Sequence, residues 1–214
     1  MLHIELADKQ GLAWAQEQCV LYHYLHKPVD IRCSPVAYRV MLQDDPIGCL
    51  IFGRPESTRV NGWYGSVEDI ATGKCYLSRW QILNLARVWL HPSIQHDGAN
   101  YIANAATWVV AQSLRRVVYD YLIEKPPVWM QEPYEIREVL SYCDTRIHQG
   151  TLYKASNFHL VRTNAKGIET YARPVRHLTH AERAQIARRS QEDKRCQKLR
   201  AQRAQLSLFE EETA

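Results

Sequence analysis

The sequence predicts a mixed α/β domain that is followed by a basic helical arm. The chain has 214 residues, of which 46% are hydrophobic, and this is enough for one well-buried core. Segments with helical periodicity alternate with short β-branched runs, which is typical of an α/β sheet protein. Residues 162–205 contain twelve Lys and Arg and four Asp and Glu, although the whole chain has a net charge of only +4. We therefore expect a domain over residues 1–175, a basic arm over 176–204 and a tail over 205–214.

In the first half of the chain, the pattern predicts a helix, a hairpin and a strand. Apolar residues recur at spacings of three and four over residues 9–25, and Pro28 prevents this helix from continuing. Two apolar runs, 38–42 and 47–53, flank a turn that contains two aspartates and a proline, which favours a β-hairpin. The strongest strand is predicted over residues 81–90, and we expect it to lie in the centre of the sheet.

The second half predicts a long helix, a buried strand, a short helix and a closing hairpin. A glycine-containing turn at residues 95–100 leads into a helix over 101–123, which two prolines end. A buried strand is predicted over 136–142, and a short helix is expected after Gly150. The closing hairpin comprises residues 158–161 and 167–172.

The stretch from Ser141 to Phe158 concentrates polar side chains at the end of a predicted strand. Asp144 and His148 fall on the turn after this strand, where α/β folds expose polar groups, and Tyr153 follows in the short helix. Arg87 interrupts the central strand, and a charge there needs an anionic partner or an open cleft. Together these residues predict an active-site edge. Taken singly, a turn cap, a core tyrosine and a structural salt bridge account for them equally well.

A loop rich in Gly, Asn, Ser and Pro is predicted over residues 54–72. It carries Trp63 and Tyr64, and an aromatic pair on a loop is a usual way to stack an unpaired base. Packing of the same rings back onto the core is the alternative.

The sequence indicates a cytoplasmic protein without a membrane partner. No run of eighteen apolar residues exists, and the N-terminus has neither a basic start nor a hydrophobic signal core. The six cysteines are scattered without a Cys-x-x-Cys pair, so we expect reduced thiols rather than a disulfide framework.

The order of elements and the junction Gln95-x-x-Gly98-x-Asn100 between a strand and a helix resemble the GNAT acyltransferases. This resemblance implies a mixed, mostly antiparallel sheet flanked by helices. It also implies that an acyl donor such as acetyl-coenzyme A binds along the strand and the following loop. The residues that would bind this cofactor are Val88, Trp89, Leu90, Gln95 and Gly98.

At finer grain, three segments resemble the Mom family of phage DNA-modification proteins, over roughly residues 10–172. The segments are His23-Tyr24, Arg87-Val88-Trp89 and the stretch from Ser141 to Phe158. The resemblance implies that the N6 amine of adenine in double-stranded DNA is converted to a carbamoylmethyl group, which protects phage DNA from host restriction. The functional positions that it implies are His23, Tyr24, Arg87, Ser141, Asp144 and Tyr153.

The chemistry of such a reaction suggests a role for each group. The adenine amine is a weak nucleophile because its lone pair is delocalised into the ring, so a base must remove a proton as the new bond forms, and Asp144 is the candidate. Tyr153 would protonate a leaving group or stabilise an oxyanion, and Arg87 would hold a carboxylate or phosphate of the donor. Because a duplex hides N6, the adenine would be flipped out and stack on Tyr24 or Trp63.

The donor and a metal stay open at this stage. Direct acetyl transfer would give an N-acetyl adenine, so another activated acyl or glycyl donor is needed; a glycyl group on N6 is an isomer of the carbamoylmethyl product. The family resemblance also implies iron. The candidate ligands are His23, His26, Asp144 and His148, and no spacing fixes them.

The basic arm predicts contact with a polyanion. A capping box formed by Thr179 and Glu182 starts a helix over residues 181–204, which lacks a continuous apolar stripe. Such a helix suits DNA phosphates, although a solvated helix that touches nothing has the same charge. The residues expected to contact DNA are Arg188, Arg189, Lys194, Arg195 and Lys198.

The tail contains a second recognition signal. Its sequence Gln205-Leu206-Ser207-Leu208-Phe209 matches in form the peptide that bacterial proteins insert into the sliding clamp of the replicative polymerase. We expect an extended segment whose two leucines and phenylalanine enter a pocket of the clamp. Docking of these residues on the protein's own body is the alternative.

Two other functions are compatible with the sequence. A noncatalytic adaptor that binds DNA or the clamp accounts for the arm and the tail, but leaves the polar cluster at residues 141–153 without a role. An ordinary GNAT N-acetyltransferase that acts on a protein or a small amine accounts for the domain alone.

Overall fold

The computed structural model describes residues 1–55, 77, 79–125 and 135–212, with side chains described as far as residue 201. Trp63, the predicted stacking residue, and most of its loop lie outside these ranges. Seven strands are present: β1 Leu2–Leu6, β2 Val36–Leu42, β3 Asp45–Gly53, β4 Ile82–Leu90, β5 Glu138–Asp144, β6 His159–Thr163 and β7 Ile168–Pro174. The helices are α1 Lys9–Tyr22, α2 Ala105–Glu124, α3 Thr151–Ala155 and α4 His180–Glu212.

The strands form one sheet in the order β1-β2-β3-β4-β5-β7-β6. Every neighbouring pair is antiparallel except β4 and β5, which are parallel. The predicted fold class, a mixed and mostly antiparallel sheet flanked by helices, is therefore confirmed. The central position predicted for β4 is also correct, because it has three strands on either side.

The elements differ from the prediction mainly at their ends. β1 was not predicted; it is an edge strand of five residues that pairs only with β2, so its alternation of Leu and Ile is short. α2 begins at Ala105 rather than 101 because the amide of Tyr101 bonds back to Gly98 and closes a turn. β5 is shifted by two residues and ends on Asp144.

The two faces of the sheet bury separate clusters. α1 covers one face, where Ala15 and Cys19 pack against Cys49 and Ile51 of β3. α2 covers the opposite face with a larger cluster that includes Tyr38. The Tyr38 hydroxyl donates to Asp120 of α2 at 2.8 Å, which gives this buried carboxylate a partner. The five cysteines within the described residues are free thiols, as predicted.

β4 and β5 separate at the centre of the sheet. Their parallel pairing covers only Ile82–Asn84 opposite Glu138–Leu140. Just beyond this point the pairing of β4 with β3 slips by one residue at Ala86, because Leu85 and Arg87 face consecutive residues of β3. Such a bulge bends a strand and increases its twist. The two strands therefore diverge and leave an opening between them, in the middle of an otherwise continuous sheet.

α4 is anchored at its start and exposed further on. The predicted capping box is present, since the amide of Thr179 donates to Glu182 and the amide of Glu182 to the Thr179 hydroxyl. Ile186 and Ser190 are buried, whereas residues 195–201 are exposed. The backbone remains helical to Glu212, so the extended tail predicted for residues 205–209 is wrong; their side chains are outside the described part. No helix of the described residues is long and apolar enough to span a bilayer.

Candidate active site

The opening between β4 and β5 holds a cavity of about 230 Å³. Ala86, Arg87 and Val88 form one wall, and Tyr142 and Cys143 form the other. The remaining lining comes from the segment after α1 and from the β5–α3 turn. Those residues are His23, Tyr24, His148, Gln149, Gly150, Thr151, Leu152 and Tyr153. Four of the six predicted functional residues, His23, Tyr24, Arg87 and Tyr153, thus line one cleft.

Arg87 supplies a positive charge that is not neutralised by a carboxylate in the described part of the chain. Its guanidinium donates to the carbonyl of Lys27, at 3.3 Å from Nε and 3.2 Å from Nη2, and to the carbonyl of Ala86 at 2.7 Å from Nη1. These bonds orient the group but leave its charge uncompensated. An anionic part of a substrate in the cleft would be attracted to it.

His23 is a neutral imidazole with a defined tautomer. Its Nδ1 accepts a hydrogen bond from the amide of Leu25 at 3.2 Å, so the ring proton belongs on Nε2. Burial and the nearby charge of Arg87 lower the pKa of His23 to about 4. At neutral pH this residue is therefore a hydrogen-bond donor and cannot accept a second proton.

The two tyrosines of the cleft keep their protons. Burial raises the pKa of Tyr153 to about 12, although a hydrogen bond with Ser141 acts in the opposite direction. Burial is also the main cause of the raised pKa of Tyr24. Ser141 lies in β5 behind Tyr153 and donates to the carbonyl of Leu85 at 2.9 Å. It does not line the cleft.

Asp144 is not placed as the predicted base. It ends β5 and is absent from the cleft lining. The Arg146 guanidinium donates to both of its oxygens, from Nε to Oδ1 at 2.9 Å and from Nη2 to Oδ2 at 2.6 Å. The backbone amide of Arg146 also donates to Oδ1. This hydrogen bonding lowers the pKa of Asp144 to about 2. A carboxylate held in this way is a poor proton acceptor, and its geometry does not support the role of base.

His148 lines the cleft. The sequence predicts it at the active-site edge and as a candidate metal ligand, but not as one of the six functional positions. It is exposed, and its ring lies edge-on to Tyr24 with centroids 4.8 Å apart. Within the described residues neither ring nitrogen has a hydrogen-bond partner. Its position four residues after a strand-ending aspartate was visible in the sequence, but its freedom from partners was not.

A second cavity of about 530 Å³ adjoins the first. It shares His23, Tyr24, Val88, His148 and Leu152 with it. It continues along β4 to the start of α2, where its lining includes Trp89, Leu90, Gln95 and Ala106. This volume falls in the range of about 300–1,000 Å³ that is usual for small-molecule sites. Four of the five predicted cofactor-binding residues, Val88, Trp89, Leu90 and Gln95, thus line one groove.

The fifth, Gly98, acts within its own loop. A Cβ at this position would collide with the carbonyl oxygens of Pro92 and Ser93, so only glycine fits. The amides of Gly98, Asn100 and Ile102 donate to carbonyls of residues 93–95, and the Gln95 amide group donates to the Leu90 carbonyl. These donors already have partners. No side chain in the described part of the chain caps the start of α2, so the backbone N–H groups of its first turn are the ones that could bind a phosphate in this groove.

The candidate iron ligands do not converge. Among the described residues, no three His, Cys, Asp or Glu side chains come close enough to share an ion. Three of the four candidate ligands already use ligand atoms in other contacts. The Asp144 carboxylate accepts from Arg146, Nδ1 of His23 accepts from the Leu25 amide, and Nδ1 of His26 lies 2.9 Å from the carbonyl of Val20. The uncompensated charge of Arg87 further disfavours a cation here. The residues present do not fit an iron centre.

The predicted DNA-binding residues of α4 are apart from the cleft in sequence and share one helix. Arg188, Arg189, Arg195 and Lys198 are exposed, whereas Lys194 is half-buried. The side chains of Gln205, Leu206, Leu208 and Phe209, predicted to bind the clamp, are not described.

Several solved acetyltransferases are similar to this chain. One is aminoglycoside acetyltransferase AAC(6')-Ib in complex with coenzyme A, with 15% identity and a TM-score of 0.45 over 81% of this chain and 95% of the other. Another is a GNAT-family acetyltransferase from Streptococcus pneumoniae, with 10% identity and a TM-score of 0.48 over 82% of this chain and all of the other. No curated protein gave a significant match. The Mom protein family model matches residues 9–210, nearly the entire sequence, and the chain therefore belongs to the Mom family, which supports a role in DNA modification.

Proposed function

We propose that the protein is a transferase that modifies the N6 amine of adenine in double-stranded DNA, and that the final product is carbamoylmethyl-adenine. The observation that carries this proposal is the convergence of Arg87, Tyr153, His23 and Tyr24 on one cleft between β4 and β5. The cleft adjoins a groove that is large enough for an activated acyl donor. Membership of the Mom family supports DNA as the substrate.

The groups of the cleft suit acyl transfer. A nucleophile that attacks a thioester carbonyl creates negative charge on the carbonyl oxygen, and donors in a site of low dielectric stabilise that charge. Tyr153 and the Nε2 proton of His23 are neutral donors of this kind. Arg87 adds a fixed positive charge. No carboxylate lines the described part of the cleft, so nothing there opposes a developing oxyanion.

The cleft and the adjoining groove also offer aromatic contacts to an adenine that is flipped out of the duplex. The amine is exposed for reaction only when the base leaves the duplex, and the unstacked base needs aromatic contacts. Tyr24 is half-buried within the cleft and offers one. The exposed Tyr22, which stacks on Trp89 with ring centroids 5.3 Å apart, lies at the mouth of the second cavity and offers another.

The product requires more than simple acetylation. If the donor carries a glycyl group, attack by N6 on its carbonyl breaks the C–S bond and gives N6-glycyl-adenine. The free glycyl amine then attacks ring carbon C6, and the original C6–N6 bond breaks. This second step is an isomerisation: it neither gains nor loses atoms, and it yields the carbamoylmethyl group. The former exocyclic nitrogen becomes the terminal amide.

The test is mass spectrometry of nucleosides from DNA of cells that express the chain. We expect a modified deoxyadenosine, heavier by one carbamoylmethyl group. If DNA from expressing and non-expressing cells is identical, a noncatalytic DNA-binding adaptor becomes the better assignment. The glycyl route is tested separately by growing the cells with ¹⁵N-glycine, because this route leaves the labelled nitrogen bonded directly to C6. If the nitrogen bonded to C6 carries no label, the glycyl route is eliminated and the modification itself stays in place.

Tyr153→Phe tests the cleft as the site of reaction. The variant loses the phenolic proton but keeps the stacking of this ring on Tyr171, whose centroid is 5.2 Å away, so the fold is retained. We expect a fall in the rate of modification of about 10²–10³-fold, which is typical for removal of one oxyanion donor. Tyr101→Phe, at an exposed tyrosine outside the cleft, is the matched control and should leave the rate unchanged. Equal rates for the wild type and Tyr153→Phe would contradict the assignment.

A further inference from the structure

We propose that His148 is the general base that removes the proton from adenine N6. This inference rests on the proposed function and names the residue that the reaction still lacks. Its position is the first argument. His148 lines both the cavity between the strands and the adjoining groove, and is thus at the junction where an acceptor and a donor would meet.

The second argument is the state of its imidazole. The ring is exposed, and its only aromatic contact with a described residue is the edge-on contact with Tyr24. No hydrogen bond to either ring nitrogen is present among the described residues, so a nitrogen lone pair is available to a substrate. Imidazole is the side chain whose proton exchange is best matched to neutral pH.

The other groups of the cleft cannot take this role. His23 has its proton on Nε2 and uses Nδ1 to accept from Leu25. Tyr24 and Tyr153 hold their protons, for the reasons given above. The Cys143 thiol is buried and lies 3.5 Å from the His148 carbonyl, to which it donates. Among the described lining residues, His148 is thus the imidazole whose two ring nitrogens both lack a hydrogen bond.

The turn that carries His148 is held rigidly, and this gives Asp144 a function. The amides of Ile147 and His148 donate to the Asp144 carbonyl at 3.0 and 2.9 Å. The Asp144 carboxylate binds both the amide and the guanidinium of Arg146. Asp144 is therefore a positioning residue that fixes the turn, and its importance in the family pattern follows from the placement of His148.

The proposed step balances without a further reactant. The N6 lone pair attacks the thioester carbonyl carbon of the donor, the C–N bond forms and the C–S bond breaks. His148 takes the proton from N6 and passes it to the departing thiolate, which leaves as a thiol. Tyr153 keeps its proton and donates a hydrogen bond to the carbonyl oxygen, so the enzyme returns to its starting state. No electrons are gained or lost overall.

The test compares His148→Gln and His148→Ala with the wild type in an assay of purified protein and duplex DNA, in which an extract of non-expressing cells supplies the donor. We expect both variants to lose about 10²–10⁴-fold in rate, which is the usual contribution of a general base. Added imidazole should restore part of the rate of His148→Ala but not of His148→Gln, whose side chain fills the space. DNA binding should be unchanged in both. His96→Ala, at an exposed histidine outside both cavities, is the matched control.

The outcomes are distinguishable from those of the parent proposal. If the wild type forms no product, the proposed function fails. If the wild type is active and His148→Gln is equally active, the assignment of His148 fails. Loss of rate together with loss of DNA binding and no imidazole rescue also overturns it, because that result indicates a structural role.

Discussion

The ionisation states in the cleft follow from where each side chain is buried. His23 and Tyr153 have pKa values of about 4 and about 12, displaced in opposite directions by the same cause, since burial disfavours the charged form of each. Both residues are therefore neutral donors over the whole range in which the protein would work. Arg87 is the permanent charge beside them. His23, Tyr153 and Arg87 can therefore stabilise an anion, and their own charges do not change with pH near neutrality.

The displaced pKa of His23 has a consequence for stability. Between about pH 6.5 and pH 4 the unfolded state binds a proton at this position and the folded state does not. The free energy of unfolding should therefore fall as the pH is lowered through this window, by about 1–2 kcal/mol after allowance for the partial exposure of the ring. His23→Gln should remove this part of the pH dependence. Urea unfolding of both proteins at pH 7 and pH 4.5 measures it, and parallel curves would contradict the prediction.

At this scale the sequence predicted which residues meet in one cleft better than what each of them contacts. His23, Tyr24, Arg87 and Tyr153 line this cleft although they come from three separate segments, and local motifs together with a family resemblance were enough to select them. The role of Asp144 could not be inferred, because it depends on Arg146, two residues further along, which folds back onto the carboxylate. The spacing of charged residues in the sequence does not reveal which of them form ion pairs in the fold.

At the scale of elements, periodicity predicted α1, α2 and most strands because each has an apolar face. The exceptions are instructive. β1 is short and lies at an edge, so five residues carry too little pattern. The divergence of β4 from β5 was not predictable, because it depends on one residue at Ala86 that slips the pairing with β3. The opening between β4 and β5, which holds the cleft, is thus the feature of the sheet that the local sequence pattern predicts least well.

α4 provides the test that belongs to a single element. Replacement of Arg188, Arg195 and Lys198 by Gln removes three exposed charges that make no ion pair in the described part of the chain. If each contacts one phosphate of DNA, the slope of log K against log salt concentration should decrease in magnitude by about 2.7, and affinity at low salt should fall. Titration of labelled duplex at several salt concentrations measures this. Replacement of the exposed Lys9, Lys125 and Lys166 by Gln is the control for net charge. An unchanged slope in the α4 variant would exclude α4 as the DNA contact.

At the scale of the whole molecule, charge and chemistry are assigned to different parts of the chain. The domain holds the cleft, and the helix of 33 residues that follows it carries eight Lys and Arg, seven of them between residues 188 and 203. Such a helix is about 50 Å long, and its first turns are fixed to α2 by contacts such as the hydrogen bond of 2.7 Å from Tyr119 to Gln185. This division suits a protein that holds duplex DNA with one part and reacts with a single base in the other.

The end of the same helix is where we expect a protein partner. We predict that the full chain binds a purified bacterial sliding clamp, and that Leu208→Ala combined with Phe209→Ala abolishes this binding. Because the backbone of this segment is helical, binding would require it to unwind. Leu199→Ala, an exposed leucine earlier on α4, is the control and should bind normally. Absence of binding by the wild-type chain in a pull-down or by surface plasmon resonance would exclude this partner.

The separation of β4 from β5 has one more consequence. Where the two strands part, the peptide groups on their facing edges lose the neighbours that a continuous sheet would provide, and they do so in its interior rather than at its rim. A ligand that carries amides of its own can replace those lost hydrogen bonds, as an added strand would. Recognition of the donor would then depend on the main chain, and exchanges among apolar side chains at Val88 or Leu90 should alter it little.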